Sequence, residues 1–283
     1  MRAARMLLPD VFSATEAPDM FFLAAAEGEP HLVGAAAAAW APGGFPVEVH
    51  VVSPFRRRGI GRALIEAVAA AAADETDRLR SWSMVGEGSE AEAFLRATGF
   101  TRSRRFLGFE TDGAKFAPII NVMRRWLERG GKIPPTARIV NLSEAPRFQL
   151  IRLVATELAT LPATIAARIV AQETLHYDND LSVVLMLDGK IGGAMLMTRS
   201  AGIARVEVNV VAPHLRHGWA NVMILDEAAR RAAASGLKRF RFFCDEHTRD
   251  TINVARRAGA ASLGSGLFFE RRLGPDQSSS SQS

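Results

Sequence analysis

Residues 47–64 read VEVHVVSPFRRRGIGRAL, and they predict a strand, a basic glycine loop and the start of a helix. Val47, Val49 and Val51 occupy alternate positions, which is the period-2 pattern of a strand. Pro54 ends that strand because proline has no N–H to donate to a ladder. After the glycines the apolar residues take helical spacing, at Ile60, Leu64, Ala67 and Ala71.

A glycine loop that leads into a helix predicts an anion site. The first N–H groups of a helix have no partner within it, and the positive end of the helix dipole lies there. Glycines let the backbone approach the anion closely, and the run Arg56–Arg58 adds positive charge. The stretch therefore predicts a bound phosphate or pyrophosphate.

Composition narrows the class of protein. The 283 residues carry a formal charge of +5, which fits an anionic cofactor and does not by itself imply nucleic acid. A single cysteine, Cys244, excludes an internal disulfide and favours a reducing compartment. We find no signal peptide or membrane-length apolar run and expect a cytoplasmic protein without membrane partners. No cluster has metal-ligand spacing, so we expect no metal.

The chain also contains an internal duplication. Residues 206–211, VEVNVV, repeat the opening strand, and Val206 lies 159 residues after Val47. Gly259 lies 160 residues after Gly99, so the two copies differ by one residue over this span.

We expect four segments. They are an N-terminal domain over 1–113, a connector helix and linker over 114–136, a C-terminal domain over 137–274 and a disordered tail over 275–283. In the connector, the spacing predicts a helix with a packed face of Ile119, Val122, Met123 and Trp126.

Two motifs resemble signatures of the GNAT superfamily of N-acetyltransferases. Arg56-x-x-Gly59-x-Gly61 resembles the loop that binds the pyrophosphate of acyl-CoA, and Ala91-x-x-Phe94-x-x-x-x-Gly99-Phe100 resembles the second family signature. Both copies together cover nearly the whole chain. The resemblance implies an α/β fold of two tandem GNAT-like domains. Each would be a mixed, mostly antiparallel sheet flanked by helices, and the N-terminal copy lacks the front strand and two helices.

The same resemblance implies transfer of acetyl from acetyl-CoA to an amine of a small-molecule or peptide acceptor. The strand before the loop would splay or bulge, and the amide of Val51 or Val52 would hold the acetyl carbonyl. The phosphates would lie against Arg56, Arg57, Arg58, Gly59, Ile60, Gly61 and Arg62.

The chain departs from the family pattern at several positions. The tyrosine that often protonates the leaving thiolate is replaced by Leu95, and by Ala255 in the second copy. In the second copy Leu215 is aligned with Arg56, which weakens the phosphate site there. A non-catalytic acyl-CoA-binding module and catalysis by the C-terminal copy therefore remain alternatives.

Glu48 and His50 are the candidate catalytic residues. They share one strand face, about 7 Å apart, where a covered sheet would be apolar. We expect Glu48 to act as general base with His50 assisting it. A structural ion pair is the alternative, and it gains weight because Glu207 aligns with Glu48 in the second copy.

A second pair of candidates precedes the hairpin of the C-terminal copy. His176 and Tyr177, the only tyrosine, lie where an acceptor-side loop is expected, although packing is the commoner role. Phenylalanines and arginines alternate over 239–243, which indicates a strand with one buried face and no nucleic-acid partner. The sequence does not specify the oligomeric state.

Overall fold

The computed structural model of the chain describes residues 7–8, 18–158, 160, 162–170, 176–216 and 218–274. The predicted disordered tail, 275–283, lies outside the described residues. The strands are β1 (Met20–Ala25), β2 (Leu32–Ala38), β3 (Phe45–Val51), β4 (Arg78–Ser81), β5 (Val85–Gly86), β6 (Thr101–Asp112), β7 (Arg138–Asn141), β8 (Val183–Leu187), β9 (Lys190–Ser200), β10 (Ile203–Val211), β11 (Arg239–Asp245) and β12 (Ala261–Arg272). The helices are α1 (Ile60–Ala72), α2 (Glu90–Ala97), α3 (Gly113–Arg129), α4 (Arg147–Leu158), α5 (Pro162–Val170), α6 (Trp219–Ala234) and α7 (Arg249–Arg257).

These elements form two compact units. Unit 1 comprises Met1–Arg105 with Gly266–Ser283, and unit 2 comprises Phe106–Ser265. The division differs from the sequence-based boundaries because the end of β12 pairs with β4, as in the pair Arg271 and Leu79. The boundaries over 1–113, 114–136 and 137–274 themselves stay a prediction.

The two units share one pattern of strand pairing. In unit 1, β1, β2 and β3 are antiparallel neighbours, β3 runs parallel to β4, and β4 is antiparallel to β12. In unit 2, β8, β9 and β10 are antiparallel neighbours, β10 runs parallel to β11, and β11 is antiparallel to β6. Among the described residues, unit 2 has β7, α4 and α5 at its front. The predicted fold class is confirmed, while the predicted shortening of the N-terminal copy concerns residues ahead of β1 that lie mostly outside the described ranges.

Local sequence signals account for most of the turns and caps. Asp188 and Gly189 have φ of 50° and 75°, as a two-residue hairpin turn between β8 and β9 requires. Ser89 caps α2 by accepting a hydrogen bond from the N–H of Glu92 at 3.2 Å. The Glu92 carboxylate in turn accepts from the N–H of Gly88, the residue before the cap, at 2.7 Å, which adds a second contact at the start of α2.

The core of unit 1 lies between its sheet and α1. Phe45, Ile65, Leu79 and Phe269 are fully buried in it. The buried face of α1 consists of Leu64, Ile65, Val68, Ala69 and Ala72, and so the predicted contribution of Ala71, which is exposed, is wrong.

Residues 78–86 do not form one strand, because β4 ends at Ser81 and β5 begins at Val85. One other prediction also fails. The predicted face of α3 is largely exposed, with Val122 at 59% and Trp126 at 68%, while Phe116 and Ile120 are buried in unit 2. Both faces of α3 carry apolar residues, so spacing alone does not identify the buried one.

Cys244, the single cysteine, lies on β11 and is buried. Burial, with a smaller contribution from the charge of Asp245, raises the pKa of the Cys244 thiol to about 11. No helix in the described ranges is long and apolar enough to cross a membrane.

The end of β12 completes the core of unit 1, and this can be tested with one substitution. Phe269→Ala removes a fully buried ring and should cost about 3–5 kcal/mol of stability. We expect faster hydrogen exchange over 45–81, measured by mass spectrometry on the full chain. The matched control Phe243→Ala, at a half-exposed ring of unit 2, should leave that region unchanged. Faster exchange over 183–211 instead would contradict the assignment of β12 to unit 1.

Candidate functional site

The predicted strand–loop–helix stretch forms as one continuous structure in unit 1. β3 ends at Val51, a single 3₁₀ turn covers Ser53–Phe55, and α1 begins at Ile60. The N–H of Val52 donates to the carbonyl of Val33 at 2.9 Å, which fixes the end of the strand against β2. The loop therefore starts from a defined position.

The N-terminus of α1 is open to an anion. Gly59 occupies the N-cap position with φ +83°, a conformation that favours glycine, and no side chain caps the helix. The N–H groups of Ile60, Gly61 and Arg62 therefore have no acceptor within the helix. A Cβ on Gly61 would lie 2.9 Å from the Phe94 ring, so α2 packs closely against this turn.

The arginines of the loop differ in what they contact. The Nε of Arg56 donates to the carbonyl of Val51 at 3.0 Å, which holds the guanidinium over the end of β3. Arg57 is exposed and has φ +62°, which is uncommon for a residue with a side chain. Arg58 lies 5.1 Å from the ring centroid of Phe55.

Two further contacts tie the loop to α2. Arg62 donates to the carbonyl of Ala97 at 2.9 Å, so its guanidinium anchors α1. Glu90 lies 3.4 Å from Arg57 and 4.0 Å from Arg56. Sequence reasoning did not identify Glu90 as part of this site, although its place directly after the cap Ser89 puts it at the start of α2.

The predicted splay of the central strand is present. β3 pairs with β4 only over Phe45–Val47, and the last contact is the N–H of Trp82 donating to the carbonyl of Val47 at 3.0 Å. Because Val52 donates toward β2, alternation along the strand turns the N–H groups of Val49 and Val51 toward the splayed side. The amide of Val52 is engaged in the ladder, so Val51 is the candidate that the geometry leaves for an acetyl carbonyl.

Glu48 and His50 lie on the sheet face opposite α1. They pair with Ala37 and Ala35 in the β2–β3 ladder, and paired residues share a face. Both side chains are half-buried, and Glu48 interacts with another group of the protein. Burial, and then the charge of Arg56, lowers the pKa of the His50 imidazole. His50 is therefore held in its neutral, proton-accepting form.

Leu95 stands where the family often has a tyrosine. It is buried in the core of unit 1 at 8% exposure. A leucine has no proton to give, so nothing at this position can protonate a leaving thiolate.

The second copy repeats the turn before the loop as far as Arg216 but engages this arginine differently. Arg216 has φ −65° and ψ 156°, the same values as Arg56, and its Nε donates to the carbonyl of Val211 at 3.3 Å. The alignment of Leu215 with Arg56 is therefore wrong, since Arg216 is the counterpart. The guanidinium of Arg216 forms an ion pair with Glu157. Gly218 is extended, with φ −141°, and α6 begins with Trp219.

A β-bulge explains the one-residue difference between the copies. The ladder between β9 and β10 shifts between Val206 and Val208, while the corresponding ladder of β3 is regular from Val47 to Val51. Glu207 is the extra residue of the bulge. The alignment of Glu207 with Glu48 is therefore wrong, and Val208 is the residue at the register of Glu48.

Glu207 is held by contacts of its carboxylate within unit 2. Its carboxylate accepts a hydrogen bond from the hydroxyl of Thr198 at 3.0 Å. It also lies 3.5 Å from Arg205 and 3.9 Å from Arg168. Because Glu207 and Glu48 do not occupy equivalent positions, the repeat no longer supports a shared structural role for them.

His176 and Tyr177 lie in unit 2 at a cavity of about 480 Å³. Tyr177 is 3% exposed, and within the described ranges its hydroxyl has no hydrogen-bond partner. Among the described residues no group of three or more His, Cys, Asp or Glu side chains is arranged to hold a metal ion.

Comparison with known proteins finds similarity over the N-terminal part of the chain. Residues 17–102 match the family model of an acetyltransferase (GNAT) domain. A mycothiol acetyltransferase of Clavibacter michiganensis subsp. michiganensis is 38% identical over 92 residues, which are 32% of this chain and 28% of that protein. The matched region is thus well under a third of the relative's length.

Two solved structures are similar in fold. A tandem GNAT protein from the clavulanic acid biosynthesis pathway has a TM-score of 0.53 at 19% identity, over 94% of this chain and 88% of that one. A GCN5-related N-acetyltransferase from Sphaerobacter thermophilus has a TM-score of 0.53 at 14% identity, over 87% and 78% of the two chains. Residues 17–102 are thus similar to a GNAT acetyltransferase domain, and the chain as a whole is similar in fold to a tandem GNAT protein.

Proposed function

We propose that the chain is an acetyl-CoA-dependent N-acetyltransferase whose cofactor site lies in unit 1. The observation that carries this proposal is the open N-terminus of α1 placed directly after the splayed end of β3. The helix N-terminus can accept an anion, and the splayed strand edge can accept an extended chain beside it. CoA contains both a pyrophosphate and an extended pantetheine chain. The similarity to a mycothiol acetyltransferase supports acetyl transfer.

Different parts of unit 1 would bind the pyrophosphate and the pantetheine of acetyl-CoA. The N–H groups of Ile60, Gly61 and Arg62 would hold the pyrophosphate, and the guanidinium groups of Arg56 and Arg57 would add charge-assisted bonds. The pantetheine would lie along the splayed side of β3. A side chain at position 61 would collide with the Phe94 ring, so the backbone of Gly61 stays uncovered for the pyrophosphate.

The chemistry would take place at the Val51 amide. Its N–H would donate to the acetyl carbonyl and stabilise the charge that develops on that oxygen when the amine attacks. Glu48, assisted by the neutral His50, would accept the proton of the attacking amine. The bond to sulfur then breaks and the thiolate leaves; Leu95 supplies no proton to it.

A second candidate function is a non-catalytic acyl-CoA-binding protein. The buried Leu95, in place of a proton donor, favours it. The two functions differ in one observable: only the enzyme releases free CoA when amines are supplied.

The cofactor loop can be tested by a matched pair of substitutions. Arg56→Gln should weaken acetyl-CoA binding about tenfold or more, because a charge-assisted contact to phosphate is lost. Arg216→Gln, at the counterpart already paired with Glu157, should leave the affinity unchanged. Isothermal titration on the full chain measures both. Equal losses, or a loss only for Arg216→Gln, would show that the cofactor site lies elsewhere.

The general base can be tested by Glu48→Gln. We expect turnover to fall about a hundredfold, with acetyl-CoA affinity unchanged, because the substitution removes only the proton acceptor. The assay is release of free CoA with a panel of primary amines. Glu207→Gln is the control, and a fall confined to that variant would move catalysis to unit 2. Binding of acetyl-CoA without release by the wild-type protein would support the non-catalytic function.

The lowered pKa of His50 predicts a pH dependence. Its imidazole should titrate below the ordinary value of 6.5, and Arg56→Gln should raise that pKa because a nearby positive charge is removed. Because the folded-state pKa is lowered, this group costs the protein stability as the pH falls below 6.5. NMR titration, with the resonance assigned through His50→Gln, measures the pKa. A midpoint at or above 6.5 would contradict the burial of His50.

A further inference from the structure

Helix α3 carries a contiguous group of exposed apolar side chains. Val122 and Trp126 lie one helical turn apart and are 59% and 68% exposed, and Met123 beside them is 37% exposed. The opposite side of the helix, with Phe116 and Ile120, already supplies its packing in unit 2. Single apolar residues on a surface are common, but adjacent ones that include a tryptophan mark a contact site.

Positive charges surround these apolar side chains. At 3.6 residues per turn, Lys115, Arg125 and Arg129 project within about 60° of Val122 around the helix axis. All three residues are exposed, and within the described ranges none of them forms an ion pair or a side-chain hydrogen bond. The exposed face of α3 therefore has an apolar centre with three available cations around it.

The acidic residues of this region do not offset that charge. Glu128, the only acidic residue within α3, accepts a hydrogen bond from Arg124 at 2.8 Å. Arg124 also pairs with Asp226 of α6 at 2.6 Å, so this charged group lies toward the packed side of the helix. Asp112 is occupied as the cap and accepts from the N–H of Ala114 at 2.8 Å. A surface that complements the exposed face must therefore be negative.

This combination matches the chemistry of an anionic lipid surface. Tryptophan is enriched at the boundary between headgroups and acyl chains, because its ring is apolar and its N–H is polar. Lysine and arginine beside such a ring lay their alkyl stems over apolar surface and place their charges among the headgroups. One helix face is convex, and it can enter a headgroup layer without the groove that a peptide or a second helix would require.

We propose that the exposed face of α3 docks on a bilayer that contains anionic phospholipids. The three apolar side chains enter the headgroup boundary, and the three cations contact lipid phosphates. The helix lies along the surface, since its cations and Trp126 share one face. The proposal revises the expectation of no membrane partner, which rested on the lack of a membrane-length apolar run. It does not rest on acetyl transfer by unit 1.

Vesicle sedimentation with the full chain tests the lipid chemistry. We expect the protein to pellet with vesicles of phosphatidylcholine mixed with phosphatidylglycerol, and to stay in solution with vesicles of phosphatidylcholine alone. Added salt should release the protein, because mobile ions screen the charges at the surface. Equal binding to the two kinds of vesicle, or binding to neither, would overturn the proposal.

A matched pair of double variants locates the contact. Arg125→Gln with Arg129→Gln should weaken binding to the anionic vesicles about 25-fold, since each cation near an anionic bilayer contributes about fivefold. Arg256→Gln with Arg257→Gln removes the same charge from two exposed arginines at the end of α7 and should have a much smaller effect. Equal losses would assign the binding to the net charge of the chain and exclude docking by α3.

Tryptophan fluorescence reports on the apolar contact. Anionic vesicles with brominated acyl chains quench only tryptophans that reach the bilayer, and Trp126→Phe should remove most of this quenching. Trp40→Phe, at a half-exposed ring of unit 1, should leave it unchanged. Both variants should melt at the wild-type temperature, because both rings are exposed. Quenching that persists in Trp126→Phe would exclude insertion of α3.

Two other occupants of the same face would give different results. A wild-type protein that ignores vesicles but binds an oligonucleotide, with that binding lost on Arg125→Gln and Arg129→Gln, has a nucleic-acid site there. A wild-type protein that ignores vesicles but forms a dimer in sedimentation velocity, dissociated by Trp126→Phe, uses the face between two copies. Either result overturns the proposal.

Discussion

The early end of β4 is the constraint on which the rest of unit 1 depends. The parallel ladder between β3 and β4 stops at Val47, because β4 ends at Ser81. Beyond that point one edge of β3 loses its partner, and its backbone N–H groups become available to a ligand. The same edge continues into the turn that leads to Gly59, so an exposed backbone edge and an anion site follow each other without a break. A longer β4 would cover the edge and remove the site.

Unit 2 repeats this construction with different consequences. β10 pairs with β11 only up to Arg205, so the splay recurs. The bulge at Glu207 then adds a residue, and Glu157 pairs with the arginine of the loop. The duplication preserved the splay and the turn as far as Arg216, while the backbone at Gly218 differs from that at Gly59 and Glu157 of α4 engages the arginine. The two units therefore share an open strand edge and differ in the loop that follows it.

The sequence predicted what is decided locally. The strand, the loop and α1 follow from alternation, Pro54 and Gly59, which act over a few residues. The spacing of the two copies also showed that the second copy has one extra residue. The pairing of β10 with β9 identifies this residue as Glu207. In the same way, the buried face of α3 is decided by its contacts within unit 2. The exposure of Val122 and the contact of Glu90 with the loop likewise arise from long-range packing, which local patterns do not encode.

The end of the last strand, β12, belongs to unit 1, so this unit cannot be complete until the chain is almost fully synthesised. Unit 2 is complete in the chain once residue 265 has emerged, whereas unit 1 waits for Phe269. The first hundred residues to leave the ribosome therefore spend the whole of the remaining synthesis with an unfilled core. Such exposed apolar surface is prone to aggregation or chaperone binding. Unit 1, which is synthesised first, is thus the last unit whose residues are all available for folding.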